Sequence, residues 1–356
     1  MIESFAYTGL PCRILFGEGV LTRLRAEVEA LGCSRLLVVS TPRQAAKVTR
    51  LIDSVGDCVA GTFAGAEMHT PVAVTERAMA AFAACDADGV LAFGGGTAVG
   101  LSKAIAWRND APQIVLATTY AGSEATPILG QTVDGLKTTL RDARILPEVV
   151  FYDPALTLDL PVSTSVTSGM NAIAHAVEAL YAPDANPVSS LMAVEGARAL
   201  LSALPRIADD PTDRAARAEA LYGAWLCGTV LGTVGMSLHH KLCHVLGGSF
   251  ALPHAETHTV ILPHALAYNA VAAAGAIVPL AGILGDDPAL ALHRMAGKLG
   301  ASTSLAALGM REDDLDRAAD LATTNSYPNP RPIERQAIRR LLQRAWTGAP
   351  PGAEPL

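Results

Sequence analysis

Short apolar runs alternate with helical patterns over the first ~150 residues, the arrangement that produces crossover units and a parallel sheet. Arg35 to Ser40, Gly89 to Phe93 and Gln113 to Thr118 read as strands rich in β-branched residues. Thr70-Pro71 predicts a helix start, with threonine capping free amides and proline filling the first turn, and Glu76 to Cys85 reads as the alanine-rich helix that follows. After Asp153-Pro154 the pattern changes to long Ala/Leu-rich stretches with a period near 3.6 and few strand formers, through 166–201, 215–243 and on to Trp346. Residues 1–156 are therefore expected to form an α/β domain, and 157–356 a helical domain, with the boundary near Pro154 to Pro161.

Thr257 to Gly285 contains no Asp, Glu, Lys or Arg and is long enough to span a bilayer. Pro263 and Pro279 interrupt it, and His258, His264 and Asn269 place polar groups where hydrocarbon would penalise them, so it reads as buried core helices. His258 and His264 take a structural reading on the same ground.

With 356 residues, 50% of them hydrophobic and 17% charged, the chain can bury two cores and is too apolar for disorder. A net charge of −7 argues against nucleic-acid and membrane partners, and an anionic substrate would need a local cationic pocket. An early Glu3, without a basic stretch leading into an apolar run, predicts a cytoplasmic protein. Six scattered cysteines without a C-x-x-C pair fit reduced, packed thiols.

Candidate chemistry begins at Gly94, Gly95, Gly96 and Thr97, which follow a strand and open a helical pattern containing Lys103. Consecutive glycines let amides approach a pyrophosphate, and a helix N-terminus favours its charge; taken alone, the turn reads equally well as a tight strand-to-helix connection. Thr118, Thr119 and Ser123 belong to a second hydroxyl-rich turn after a strand of the same sheet, and Lys137 is taken with this cofactor set.

Six of the nine histidines fall between His239 and His264. His240 and His244 are four apart, as are Asn171 and His175, so each pair projects from one helix face, and His254 follows a Gly247-Gly248 break. Clustered imidazoles in an apolar domain are costly unless paired, metallated or used, which points to a functional site.

Together these turns, GMNAIAHAVEALY and HHKLCHVLGGSFALPHAETHTVILPHALAYN resemble the iron-containing alcohol dehydrogenase superfamily along the whole chain. The histidine stretch, LPEVVFYDP and NPRPIER resemble its maleylacetate reductase branch. The resemblance implies a Rossmann-like α/β domain with a parallel sheet followed by an all-helical domain, the dehydroquinate synthase-like fold, with a site in the cleft between them and usually a homodimer. It also implies reduction of the conjugated double bond of maleylacetate to 3-oxoadipate by NADH or NADPH in the degradation of aromatic compounds.

In metal-dependent relatives one aspartate and three histidines hold iron or zinc, and the corresponding positions here are Asn171, His175, His240 and His254. An amide is a poorer ligand than a carboxylate, so no metal is expected to be required. His244 matches a histidine that lies near the nicotinamide in the superfamily, and His175, His240, His244 and His254, with Tyr327, are the catalytic candidates. Lys241, Arg331 and Asn171 are candidates for binding the small dicarboxylate substrate. Many relatives carry aspartate where this chain has Gly100, and the acidic residue that favours NAD over NADP is replaced by Thr41, with Arg43 beside it, so a ribose phosphate is not repelled. The alternatives are a metal-dependent alcohol dehydrogenase of the same superfamily and a non-redox biosynthetic relative.

Overall fold

The computed structural model describes residues 4–133 and 136–352, and the side chains of 53–55, 133, 136 and 137 lie outside that description. The chain packs as two compact units.

One unit comprises residues 9–160 and 212–232. Its sheet contains β1 (Arg13–Phe16), β2 (Leu36–Val39), β3 (Val59–Phe63), β4 (Gly89–Gly94), β5 (Gln113–Ala117) and, after an antiparallel hairpin of β6 (Ile128–Val133) and β7 (Leu136–Arg141), β8 (Val149–Tyr152). The six sheet strands run in the order β1-β8-β5-β4-β2-β3, all pairs parallel. Every residue of β2, β4, β5 and β8 is buried, which is why these strands are continuous apolar runs and not alternating ones. β2, β4 and β5 thus occupy the three runs expected from the sequence.

Chain direction across this sheet reverses beside β2. From β2 the chain passes through α2 (Ala45–Val55) to the edge strand β3, returns through α3 (Val72–Ala84) to β4 on the other side of β2, and continues through α4 (Gly96–Asn109) to β5. The connections leaving β2 and β4 diverge there, opening a crevice at the carboxyl ends of the strands, where doubly wound sheets take their ligands. Thr41 and the Gly94–Thr97 turn flank it.

One helix start differs from expectation. Pro71 occupies the N-cap of α3 with no side-chain cap, and Thr70 sits at φ 47° instead of capping. The reason is tertiary: Pro71 pairs with Thr132 of β6, and the Thr70 carbonyl accepts from the Thr132 amide at 3.4 Å.

The second unit comprises residues 4–8, 161–211 and 233–352 and is helical. Its main elements are α5 (Val162–Leu180), α6 (Pro187–Asp209), α8 (Leu238–Phe250), α9 (His254–Asn269), α10 (Ala274–Leu284), α11 (Pro288–Lys298), α12 (Leu315–Thr323) and α13 (Arg335–Thr347). Helix α5 is buried from Ser165 to Leu180 and packs on α6 and α9. Asn186 and Ser189 form a reciprocal capping box at the start of α6, with Pro187 at its first turn. The intervening helix α7 (Arg214–Thr233) comes from the helical half of the sequence but packs with the sheet unit. The apolar stretch 257–285 forms parts of α9 and α10, and no single described helix is long and apolar enough to cross a membrane.

Candidate active site

The first turn of α4 is built from glycine for two separate reasons. Gly94 adopts φ 153°, which L side chains avoid, and its carbonyl accepts from the Thr118 amide at 3.1 Å, joining the two candidate cofactor turns. At Gly95 a side chain would collide with the Thr119 hydroxyl and methyl. Gly96 is different: it is exposed, and a Cβ there would meet nothing within 4 Å. No side chain caps this helix, so its first amides face outward with the positive end of the helix dipole behind them, an arrangement suited to an anion.

The floor of the second turn is fixed from below. Lys103 of α4 is fully buried, and its ammonium donates to the Ser123 carbonyl at 2.5 Å, the Thr126 carbonyl at 2.7 Å, the Thr126 hydroxyl at 2.9 Å and the Ile128 carbonyl at 3.0 Å. Burial pulls its pKa down to about 7, opposed by Glu124, while the surrounding oxygens favour the ammonium form. Gly122, at φ 76°, packs against Gly228 of α7 with no room for a side chain between them. Thr118 is buried and its hydroxyl accepts from Gln44 at 3.4 Å; Thr41 is half-buried and Arg43 is exposed. The side chain of Lys137 lies outside the described residues.

In the helical unit, α5, α8 and α9 bring six imidazoles together. The ring of His240 lies 5.1 Å from His175 and from His239, 5.2 Å from His258 and 6.3 Å from His244, and His254 packs at 4.3 Å against His258. His258, expected to be merely structural, therefore belongs to the cluster; it is one turn beyond His254 on α9 and shares its face. His239 Nε2 and His258 Nδ1 share a hydrogen bond of 2.9 Å, with Cys243 Sγ 3.7 Å from His239 Nε2. His264 lies apart from the six, packed edge-on against His293. Burial holds His175, His239 and His258 neutral, well below the usual histidine range, and the neighbouring rings act in the same direction.

The residue that organises the cluster was not among those singled out from the sequence. Glu178 is completely buried, and its carboxylate accepts from the Ser237 amide at 2.9 Å, the His239 amide at 2.7 Å, the His240 amide at 3.4 Å and His240 Nδ1 at 2.7 Å. It thereby caps α8, whose own N-cap Ser237 makes no side-chain bond. The signal was present in NAIAHAVEAL: Asn171, His175 and Glu178 follow the i, i+4, i+7 stripe of one helix face.

The remaining candidates divide. The Tyr327 hydroxyl is buried without a partner among the described residues, Lys241 Nζ lies 5.6 Å from its ring, and burial raises the phenol so that it keeps its proton and can donate. Arg331 is buried with its guanidinium 4.3 Å from the Tyr268 ring. Asn171 and His175 are buried on α5, and His175 Nδ1 and His240 Nε2 have no partner among the described residues.

A divalent cation fits this donor set poorly. Asn171, His175, His240 and His254 supply neutral atoms, and the nearby Glu178 carboxylate is committed to four N–H donors. Among the described residues, this donor set leaves no anionic ligand to balance the ion.

The iron-containing alcohol dehydrogenase family matches residues 11–154, and the C-terminal region of that family matches residues 165–346. The chain is 58% identical over 350 residues to a maleylacetate reductase of Rhizobium sp. (strain MTP-10005), covering 98% of this chain and all of that one. The crystal structure of a maleylacetate reductase from Agrobacterium tumefaciens superposes with a TM-score of 0.95 at 57% identity, over 98% of this chain and 100% of that one. An iron-containing alcohol dehydrogenase from Corynebacterium glutamicum superposes at 0.91 with 38% identity, over 99% and 98% of the two chains. The glycine turn at the sheet's switch point and the imidazole cluster of the helical unit both lie within these matched stretches, and the chain belongs to the maleylacetate reductase branch of the iron-containing alcohol dehydrogenase family.

Proposed function

We propose that this protein reduces the conjugated double bond of maleylacetate to 3-oxoadipate with NADH or NADPH, in the degradation of aromatic compounds. The observation that carries the reading is the full-length 58% identity to a maleylacetate reductase. Hydride adds to the alkene carbon remote from the ketone, and negative charge gathers on the ketone oxygen. Donors in the imidazole cluster, His175, His240, His244 and His254, with the Tyr327 hydroxyl, stabilise that oxygen, and one of these histidines or a water they orient protonates the enolate carbon. Lys241, Arg331 and Asn171 are proposed to meet the substrate, Lys241 by its charge and Asn171 by its amide.

Gly94, Gly95, Gly96 and Thr97 hold the cofactor pyrophosphate, with Thr118, Thr119, Ser123 and Lys137 around it. The absence of an acid at Thr41 and the exposed Arg43 support acceptance of both cofactors. The neutral donor set supports a reaction that needs no metal. A homodimer and a cytoplasmic location complete the reading, the latter favoured by six free thiols.

The test is the loss of NADH or NADPH absorbance with maleylacetate, before and after exhaustive chelation. Equal, substantial turnover in both supports the proposal. No turnover with maleylacetate overturns the substrate, and loss on chelation with recovery on zinc or iron overturns the metal-free mechanism.

A further inference from the structure

Six imidazoles crowd the cluster, and one of them, His240, meets a buried carboxylate. His240 Nδ1 lies 2.7 Å from Glu178 Oε2. A carboxylate has no proton to give, so the ring donates, and its proton sits on Nδ1. The opposite nitrogen, Nε2, is then the atom left to act, and it is buried without a partner among the described residues. The neighbouring His239–His258 bond is not fixed in this way and can run in either direction, since each ring offers one nitrogen to the other.

Glu178 is itself held rigidly. It projects from α5, fully buried, and the Ser237, His239 and His240 amides at the start of α8 occupy its remaining acceptor sites. The carboxylate therefore fixes the helix carrying His240 and the ring of His240 at once. A positioned carboxylate behind a histidine sets both the tautomer and the orientation of the ring.

We propose that Glu178 is a positioning residue for the reaction: it locks His240 as the Nδ1–H tautomer and so makes His240 Nε2 the atom that exchanges a proton with the substrate or with an oriented water. This rests on the proposed reductase activity for its catalytic consequence but not for the tautomer itself. Glu178 touches no reacting atom.

The experiment joins nitrogen NMR of histidine-labelled protein, with His240 assigned by its loss in His240→Ala, to steady-state kinetics. In the unaltered protein His240 shows Nδ1 protonated; an Nε2–H tautomer overturns the proposal whatever the kinetics. Glu178→Leu removes the acceptor, and is expected to lose the fixed tautomer and lower kcat by about ten- to a hundredfold while the KM for NAD(P)H stays within about twofold. Glu178→Gln keeps a carbonyl that can accept from Nδ1, and is expected to retain the tautomer and recover most of kcat. A Leu variant that keeps both tautomer and kcat, or a folded Gln variant that keeps the tautomer yet is as slow as Leu, overturns it. Should the Leu variant fail to fold, the tautomers of the unaltered and Gln proteins decide. If maleylacetate is not turned over at all while the tautomer follows these substitutions, the reductase reading fails and the positioning by Glu178 stands.

Discussion

Thr70 Oγ1 occupies the space a side chain on Gly100 would need: a Cβ built there comes within 2.6 Å of the hydroxyl, whereas the Thr70 Cβ is 3.9 Å away. Gly100 lies in α4, where alanine would ordinarily stabilise by about 1 kcal/mol. Gly100→Ala should instead destabilise, by about 1–3 kcal/mol of overpacking. Thr70→Ala removes the hydroxyl and leaves only ordinary contact, so the double variant should recover the loss, with non-additivity of about 1–3 kcal/mol. Urea unfolding of the four proteins checks this, and additive effects would show that the two positions do not meet.

The phosphate turn can be tested without disturbing the fold. Gly95 is sterically closed by Thr119, so Gly95→Val would confound folding with binding. Gly96 faces open space at the helix start. Gly96→Val should keep the melting temperature within about 2 °C, a change below about 1 kcal/mol for a chain of this size, and weaken NAD(P)H binding about tenfold or more by obstructing the pyrophosphate. Titration of cofactor fluorescence measures the affinity. Unchanged binding in Gly96→Val would remove this turn from the cofactor site.

Sequence patterns disclosed what local periodicity controls. The buried strands appear as continuous apolar runs, and the pairs Asn171/His175 and His240/His244 follow from helical spacing alone. Tertiary placement was less accessible. Thr70 read as a cap because local chemistry favours it, but pairing of Pro71 with Thr132 of β6 draws it into a left-handed conformation. Glu178 was passed over because one acid in an alanine-rich helix gives no local sign that it will cap α8, some 60 residues later. The Tyr268 ring beneath the guanidinium of Arg331 is likewise a tertiary contact that no local pattern announces.

His244 is the exposed member of the histidine group, its ring 6.3 Å from His240. An exposed imidazole contributes little to the core, so His244→Ala should leave stability and NAD(P)H binding nearly unchanged. Turnover with maleylacetate should fall about a hundredfold if a positioned donor is lost. Cofactor fluorescence and the absorbance assay separate the two effects; normal turnover in the variant would end the catalytic assignment.

Asn171 is buried on the face of α5 that also carries His175. Asn171→Asp supplies the anionic ligand that the donor set lacks, at nearly constant volume. Zinc or iron retained after dialysis should rise from substoichiometric to about one per chain if the three histidines converge as in metal-dependent relatives. Elemental analysis decides, and unchanged content would mean that His175, His240 and His254 do not surround a common point.

Acid stability should carry the mark of histidines buried in their neutral form. His264 is the clearest, because burial pulls its pKa down from 6.5 to about 3, with His293 and Arg344 acting in the same direction. The folded pKa lies below the unfolded one, so the unfolded chain binds the extra proton between those values. The stability that neutral His264 provides is complete above about pH 6.5 and is lost progressively as pH falls towards 3, at up to about 1.4 kcal/mol per pH unit for this group. Its Nε2 is buried without a partner among the described residues, so a leucine there sacrifices no bond at that atom. His264→Leu should therefore flatten the fall of urea-unfolding stability between pH 6.5 and 4 by about one proton's slope, leaving the contributions of His175, His239 and His258 in place. Parallel pH profiles for the two proteins would show that His264 is protonated equally in the folded and unfolded chains, and would contradict the burial that defines its surroundings.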